Sequence, residues 1–234
     1  MNSSNRSARV AGTLYILASL VGAVRLIYIP ESLVVSGNPA VTVDNIAAHE
    51  WLFRVGIVSS LIAGTLWIFV PLALYRLFKD VDQSTAILMV ILGTLMQVPI
   101  FFINSATDVA TLLFAKGTDA FAVFSKPERD ALAVLFLRVH HHLDLANAVF
   151  WGLWLVPFGL LVYRSRILPR FLGVWLMLGC LGYLAFSFTG FLLPAREDRV
   201  FNLSQPLTLG EVAAMLWLVI RGARDPQLLK GRTS

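Results

Sequence analysis

Four ionisable side chains stand almost in a row at His140, His141, His142 and Asp144, with Arg138 just before them and Asn147 just after. Imidazole exchanges protons near neutral pH, and a carboxylate one helical turn away can fix its tautomer or share its proton. His140, Asp144, Asn147, Trp151 and Trp154 follow one another at spacings of four, three, four and three, so a single helix face carries all five. His141, three residues before Asp144, joins that pair from the flank. Three kinds of chemistry fit the pattern: acid–base work by His141 and Asp144, a metal shell begun by His140 and Asp144 and completed by His49, Glu50 or Glu211, or plain ion pairing. No HExxH or comparable metal motif is present, and the pattern specifies no cofactor.

These groups stand at the mouth of the apolar run LANAVFWGLWLVPFGLLVY, so the element that must position them is a membrane span. Of the residues, 57% are apolar and 14% charged, against about 45–50% and about 25% in soluble proteins. Mean hydropathy is +0.74. Apolar runs recur along the whole chain, and no polar stretch is long enough to fold as a separate soluble unit. The net charge of +5 comes without a basic stripe interleaved with aromatics, so the cations read as loop anchors rather than nucleic-acid contacts. The lone Cys180 lies inside an apolar run, which leaves no disulfide framework and no cysteine-based metal site.

Six spans are expected. The first runs from Val10 through Arg25 to Ile29 and is read as uncleaved, because no small-x-small cleavage site follows it. Asp44 or Asn45 is placed as the cap of a second helix that contains His49, Glu50 and Arg54 and ends near Tyr75. The third covers Thr85 to about Asn104, kinked by Pro99 and continued beyond the bilayer to about Ala115. Ser125, Pro127 and Glu128 form a capping box that opens the fourth, Lys126 to Arg164. At 1.5 Å per residue that helix is roughly 58 Å long against about 30 Å of hydrocarbon, so it either projects outward or breaks near the histidines. Phe171 to Leu193 and Leu207 to about Arg221, the latter containing Glu211, complete the set. The fold class is all-α, a polytopic membrane protein with six transmembrane helices, helix four long and projecting outward. The organisation is a cytoplasmic N-terminus over 1–9, a six-helix domain over 10–221 and a basic cytoplasmic tail over 222–234.

Charge bias sets the orientation. With both termini inside, eleven cations fall on that side: Arg6, Arg9, Arg76, Lys79, Arg164, Arg166, Arg170, Arg221, Arg224, Lys230 and Arg232. Five fall outside, Lys116, Lys126, Arg129, Arg196 and Arg199, as positive-inside topology requires. The segments Leu66-Trp67-Ile68, Leu153-Trp154-Leu155 and Leu216-Trp217-Leu218 recur late in helices two, four and six, a weak sign of helical-hairpin repeats. Measured back from those tryptophans, His141 and Arg54 lie about 20 Å outward, Asp144 about 15 Å and Glu211 about 9 Å. Charges in a bilayer normally face the bundle interior and pair. Arg25, Glu50, Arg54, His140, His141, Asp144, Asn147 and Glu211 are therefore expected to line a polar pocket in the outer half.

The run VHHHLDLANAVFWGLWLVPFGLLVYRSRILPRFLGVWLMLGCLGYL resembles the signature of a bacterial family of small membrane proteins, domain of unknown function 4386. The resemblance rests on His140-His141, Phe150 to Trp154, Pro157, Tyr163-Arg164-Ser165 and Leu168-Pro169-Arg170 leading to Gly173, and extends to WLFRVGIVSSLIAGTLWIFVPLALYRLFK. It implies six spans in the bacterial inner membrane and assigns no activity. Three functions stay open: binding or passing a small polar or amphipathic ligand, a membrane-embedded His/Asp enzyme on a lipid-like substrate, with or without metal, and a structural or regulatory subunit. The lipid bilayer is the one partner expected in every case.

Overall fold

A computed structural model describes residues 3–223, and among them every regular element is helical. The helices are α1 (Asn5–Leu33), α2 (Pro39–Ala48), α3 (Glu50–Phe78), α4 (Gln83–Lys116), α5 (Lys126–Ser165), α6 (Arg170–Leu192) and α7 (Pro194–Ile220). All except α2 are long and apolar enough to cross a membrane. Even the shortest, α6, has 23 residues, about 35 Å at 1.5 Å per residue. Their exposed positions include Leu20, Leu95, Leu192 and Leu203, as lipid-facing surfaces require. The protein is thus a multi-pass integral membrane protein.

Three boundaries differ from the sequence expectation, each for a local reason. Asn38, not Asp44 or Asn45, caps the second helical segment: its side-chain oxygen accepts the Val41 amide at 3.2 Å, and Pro39 occupies the first helical position. Asn45 instead donates to the Leu33 carbonyl at 3.2 Å, and Asp44 pairs with Lys126 at 3.0 Å. The helix so started is separate from α3, with His49 between them. The last span begins well before Leu207, and Pro206 lies inside it. The length of α5 allows a break near the histidines, but the interruption falls at Trp154, between Lys126–Leu153 and Leu155–Ser165. Pro157 causes it, since it offers no amide hydrogen to the Leu153 carbonyl. Of the Ser125–Glu128 capping box the glutamate's half forms: its carboxylate accepts both the Ser125 amide and hydroxyl at 2.7 Å. The basic tail expected over 222–234 lies, from residue 224 onward, outside the described residues.

The chain groups into two compact units. One comprises Met1–Leu17, Leu66–Val98 and Leu145–Ser234. Within it, Tyr15, Trp67 and Trp154 stack against one another with ring centroids 5.3 to 5.7 Å apart, so the first two tryptophans of the sequence repeat meet directly. The second half of α5 packs against α6 through glycines on both helices. A Cβ at Gly173 would stand 2.6 Å from the Gly159 carbonyl oxygen, so the backbones approach as only small residues permit. In α4 the expected kink before Pro99 is a wide turn over Ile91–Leu95, where the Met96 amide reaches back five residues to Ile91 at 3.2 Å. The Gln97 amide donates to the Leu92 and Phe150 carbonyls at 3.2 and 3.1 Å, which ties the distorted turn to α5.

The other unit comprises Ala18–Thr65 and Pro99–Asp144. Its apolar core gathers Ile29 and Leu33 of α1, Ile46 of α2, Phe53 and Ile57 of α3, and Leu112 of α4. A second wide turn, Val24–Tyr28, precedes Pro30 and contains the buried Arg25.

Candidate functional site

On α4, Asn104, Thr107, Asp108 and Thr111 follow at intervals of three, one and three residues, and all four are buried. Such spacing puts them on one face of the helix. The two threonine hydroxyls are absorbed by their own helix: Thr107 donates to the Asn104 carbonyl at 2.8 Å and Thr111 to the Thr107 carbonyl at 3.0 Å. Asp108 and Asn104 therefore carry the chemistry of this face.

Arg25 reaches Asp108 as a fork. Nε donates to Oδ2 at 2.7 Å and Nη2 to Oδ1 at 2.6 Å, with the guanidinium above the Phe53 ring at 5.7 Å. The wide turn places Arg25 inward, and Gly56 on α3 leaves room for its stem, since a Cβ there would come within 3.2 Å of Arg25 Cδ. From α5, His140 presents Nδ1 to Asp108 Oδ1 at 3.0 Å and Nε2 to Asp144 Oδ2 at 3.3 Å. Nδ1 also lies 3.4 Å from Arg25 Nη2 and 3.5 Å from the Thr107 hydroxyl. Asn104 donates to the other Asp144 oxygen at 2.6 Å. Arg25, Asp108, His140, Asp144 and Asn104 thus form one chain of hydrogen bonds and ion-pair contacts across three helices. Asp144, with 22% of its side chain exposed, is the open end.

The protonation chemistry follows from donors and acceptors. An ionised carboxylate only accepts hydrogen bonds, and a neutral imidazole donates through one nitrogen alone. Both His140 nitrogens lie within ion-pair distance of carboxylate oxygens, so the ring can donate to Asp108 and Asp144 together only as an imidazolium, one proton beyond a neutral ring and two carboxylates. With that proton the charges of the network sum to zero; without it, one negative charge is left over.

The structure brings three of the expected site residues together: Arg25, His140 and Asp144. It joins them through Asp108, which the sequence reading left on a stretch assigned beyond the bilayer. A signal was there, because a lone Asp on a polar stripe within an apolar helix needs a cation, and Arg25 is one. Glu50 and Arg54 form a different group near the surface: Arg54 Nη2 meets Glu50 at 2.8 Å, and Lys116 pairs with the same carboxylate. His49 is exposed at the α2–α3 joint, with Nδ1 3.0 Å from the Asn45 carbonyl. The His141 and His142 rings meet edge to face at 5.7 Å, and the imidazole beside Asp144 is that of His140. Asn147 is buried in the first unit, as is Trp154. Glu211 also belongs to the first unit, where the hydroxyls of Tyr15 and Tyr183 donate to its two oxygens, the latter at 2.9 Å. Among the described residues no group of three or more His, Cys, Asp or Glu side chains is arranged to hold a metal ion, so the proposed shell of His49, His140 and Asp144 is not assembled.

A bundle of long apolar helices with an ion network buried among them defines an integral membrane protein of the multi-pass class. The chain belongs to the family described as Domain of unknown function (DUF4386), whose profile matches residues 10–222, nearly its whole length. Comparisons with curated proteins and with solved structures returned no match.

Proposed function

We propose that this protein resides in the bacterial cytoplasmic membrane with both termini inside, and that it binds or passes a small polar or amphipathic ligand at Asp144, governed by the proton on His140. The carrying observation is the asymmetry of the network. Arg25 and Asp108 are closed on one another and buried, whereas Asp144 is partly open and, among the described residues, is supported by the Asn104 amide and one edge of an imidazole. Intramembrane ionisable groups are costly, and a partly exposed one with few protein partners is suited to exchange with a ligand. The Arg25–Asp108 fork serves as the anchor that sets the register of α1 against α4.

The reading is tested by thermal unfolding of the detergent-purified protein with a panel of small polar and amphipathic compounds. Stabilising compounds should lose their effect in Asp144→Asn and keep it in Glu50→Gln. A panel without any stabilising compound, or one indifferent to Asp144→Asn, overturns the reading. Single cysteines placed at Asp80 and Thr118 in a Cys180→Ser background should be labelled from the cytoplasmic and the outer side respectively.

A further inference from the structure

We infer that the Asp144 site receives a compact ammonium cation, a primary or secondary amine, gripped by the Asp144 carboxylate and the Asn104 amide oxygen, and that it enters as His140 releases a proton. The inference rests on the reading of Asp144 as a ligand site and adds the chemical class of the ligand.

Charge is the first argument. The network holds one guanidinium and two carboxylates, and Asp108 occupies both donor edges of Arg25 that face it. The only mobile positive charge is the proton shared by His140. A ligand that replaces it without leaving the membrane interior charged must itself be a monovalent cation. An anion finds no free cation in this network, and a neutral ligand leaves Asp144 uncompensated once the proton has gone.

Asn104 supplies the second argument. Its amide nitrogen donates to Asp144 at 2.6 Å, which fixes the orientation of the group: flipped, it would set oxygen against oxygen. The amide oxygen, on the other arm of the same group, is buried and has no hydrogen-bond partner among the described residues. Buried carbonyl oxygens are nearly always paired, so a donor belongs there. An amide oxygen beside a carboxylate makes a set of acceptors alone. An alkylammonium is its complement, with two or three N–H donors, a positive charge and no lone pair.

Every group known to face His140 takes part in the exchange. Asp108 and Thr107 approach from α4, Arg25 from α1 and Asp144 from its own helix. When R–NH3+ enters, the imidazolium gives one proton to solvent and the sum of charges is unchanged. No covalent bond is made or broken. Proton and amine compete, so amine affinity must rise with pH while His140 is protonated in the free protein, by up to about tenfold per pH unit.

Isothermal titration of the full chain in detergent, with benzylammonium, tetramethylammonium, benzoate and benzyl alcohol as probes, tests this. Benzylammonium should bind and release close to one proton, read by repeating the titration in buffers of different ionisation enthalpy. Tetramethylammonium, which has the charge but no N–H, should bind at least tenfold more weakly. His140→Gln should abolish the proton release, and Asp144→Asn should abolish binding. If benzoate or benzyl alcohol binds instead and is lost in Asp144→Asn, the ligand site stands and the ammonium assignment falls. If benzylammonium binds wild type without releasing a proton, the exchange is refuted. If no probe binds and the wider compound panel also fails, both readings fall.

Discussion

Asp108 takes two hydrogen bonds from Arg25, at 2.7 and 2.6 Å, across 83 residues of sequence and with its own side chain wholly buried. Arg25 meets no other carboxylate in the network, whereas Asp108 also faces His140 Nδ1 at 3.0 Å, so the fork is what makes Arg25 tolerable inside a membrane span. The geometry is bidentate, the form in which a guanidinium and a carboxylate lose least on leaving water.

Removing one partner should therefore cost far more than removing both. Asp108→Ala leaves an uncompensated buried cation, with an expected loss of about 3–5 kcal/mol. The double variant Arg25→Leu, Asp108→Leu should recover more than half of that. Thermal unfolding in detergent measures both, and a double variant as unstable as the single one would show that the pair does not act as a unit.

Glu211 is held differently, by two phenol hydroxyls and no cation among the described residues. Tyr15→Phe and Tyr183→Phe should each destabilise by about 1–3 kcal/mol, because a carboxylate oxygen loses its donor. In a Glu211→Leu background the cost of Tyr15→Phe should shrink markedly, which unfolding midpoints of the four variants would reveal.

Close approach of α5 and α6 depends on Gly159 and Gly173. A Cβ at Gly159 would collide with the Gly173 carbonyl, backbone against backbone, where nothing flexible can yield. Gly159→Val should destabilise by at least about 1–3 kcal/mol, the usual cost of overpacking. It should also broaden the size-exclusion profile, whereas Gly37→Ala, with open space around it, should cost only the strain of its φ of +75°.

Asp82 offers a pH test outside the spans. Its carboxylate accepts the Thr85 amide at 3.0 Å and the Thr85 hydroxyl at 2.7 Å, and meets Arg164 at 2.6 Å. Those bonds, the backbone one foremost, hold its pKa below the ordinary carboxylate range. A depressed folded-state pKa contributes stability that is complete above the unfolded value of about 3.9 and is lost as pH falls through the folded value. Asp82→Ala should accordingly melt below wild type at pH 7, with the gap closing as the pH drops toward 3. Asp82→Asn, which keeps the cap but not the charge, should fall between them.

Much of the architecture was legible in the sequence. Six spans, the Pro99 distortion, the glutamate's half of the capping box at Ser125 and the burial of Arg25 all follow from composition and from residues acting within one turn of themselves. The partners of Arg25 were not legible. Depth counted along each helix gives a height but no direction, and it left Asp144, Glu50 and Glu211 as the eligible carboxylates, with Asp108 on a stretch assigned beyond the bilayer. Glu50 goes to Arg54 and Lys116 near the surface, and Glu211 to two tyrosines in the other unit.

What the chain's sequence determined by itself is the set of membrane-crossing segments, because transferring a side chain into hydrocarbon is a local and nearly additive free energy. Tertiary structure alone decided which charges meet. The wide turn at Val24–Tyr28 adds a residue to a helical turn and so shifts the rotational phase of α1 where Arg25 stands by up to about 100°. Pairing between helices depends on that rotational phase, which hydrophobic periodicity does not record, and this is why Asp108 rather than a more conspicuous carboxylate stands opposite Arg25.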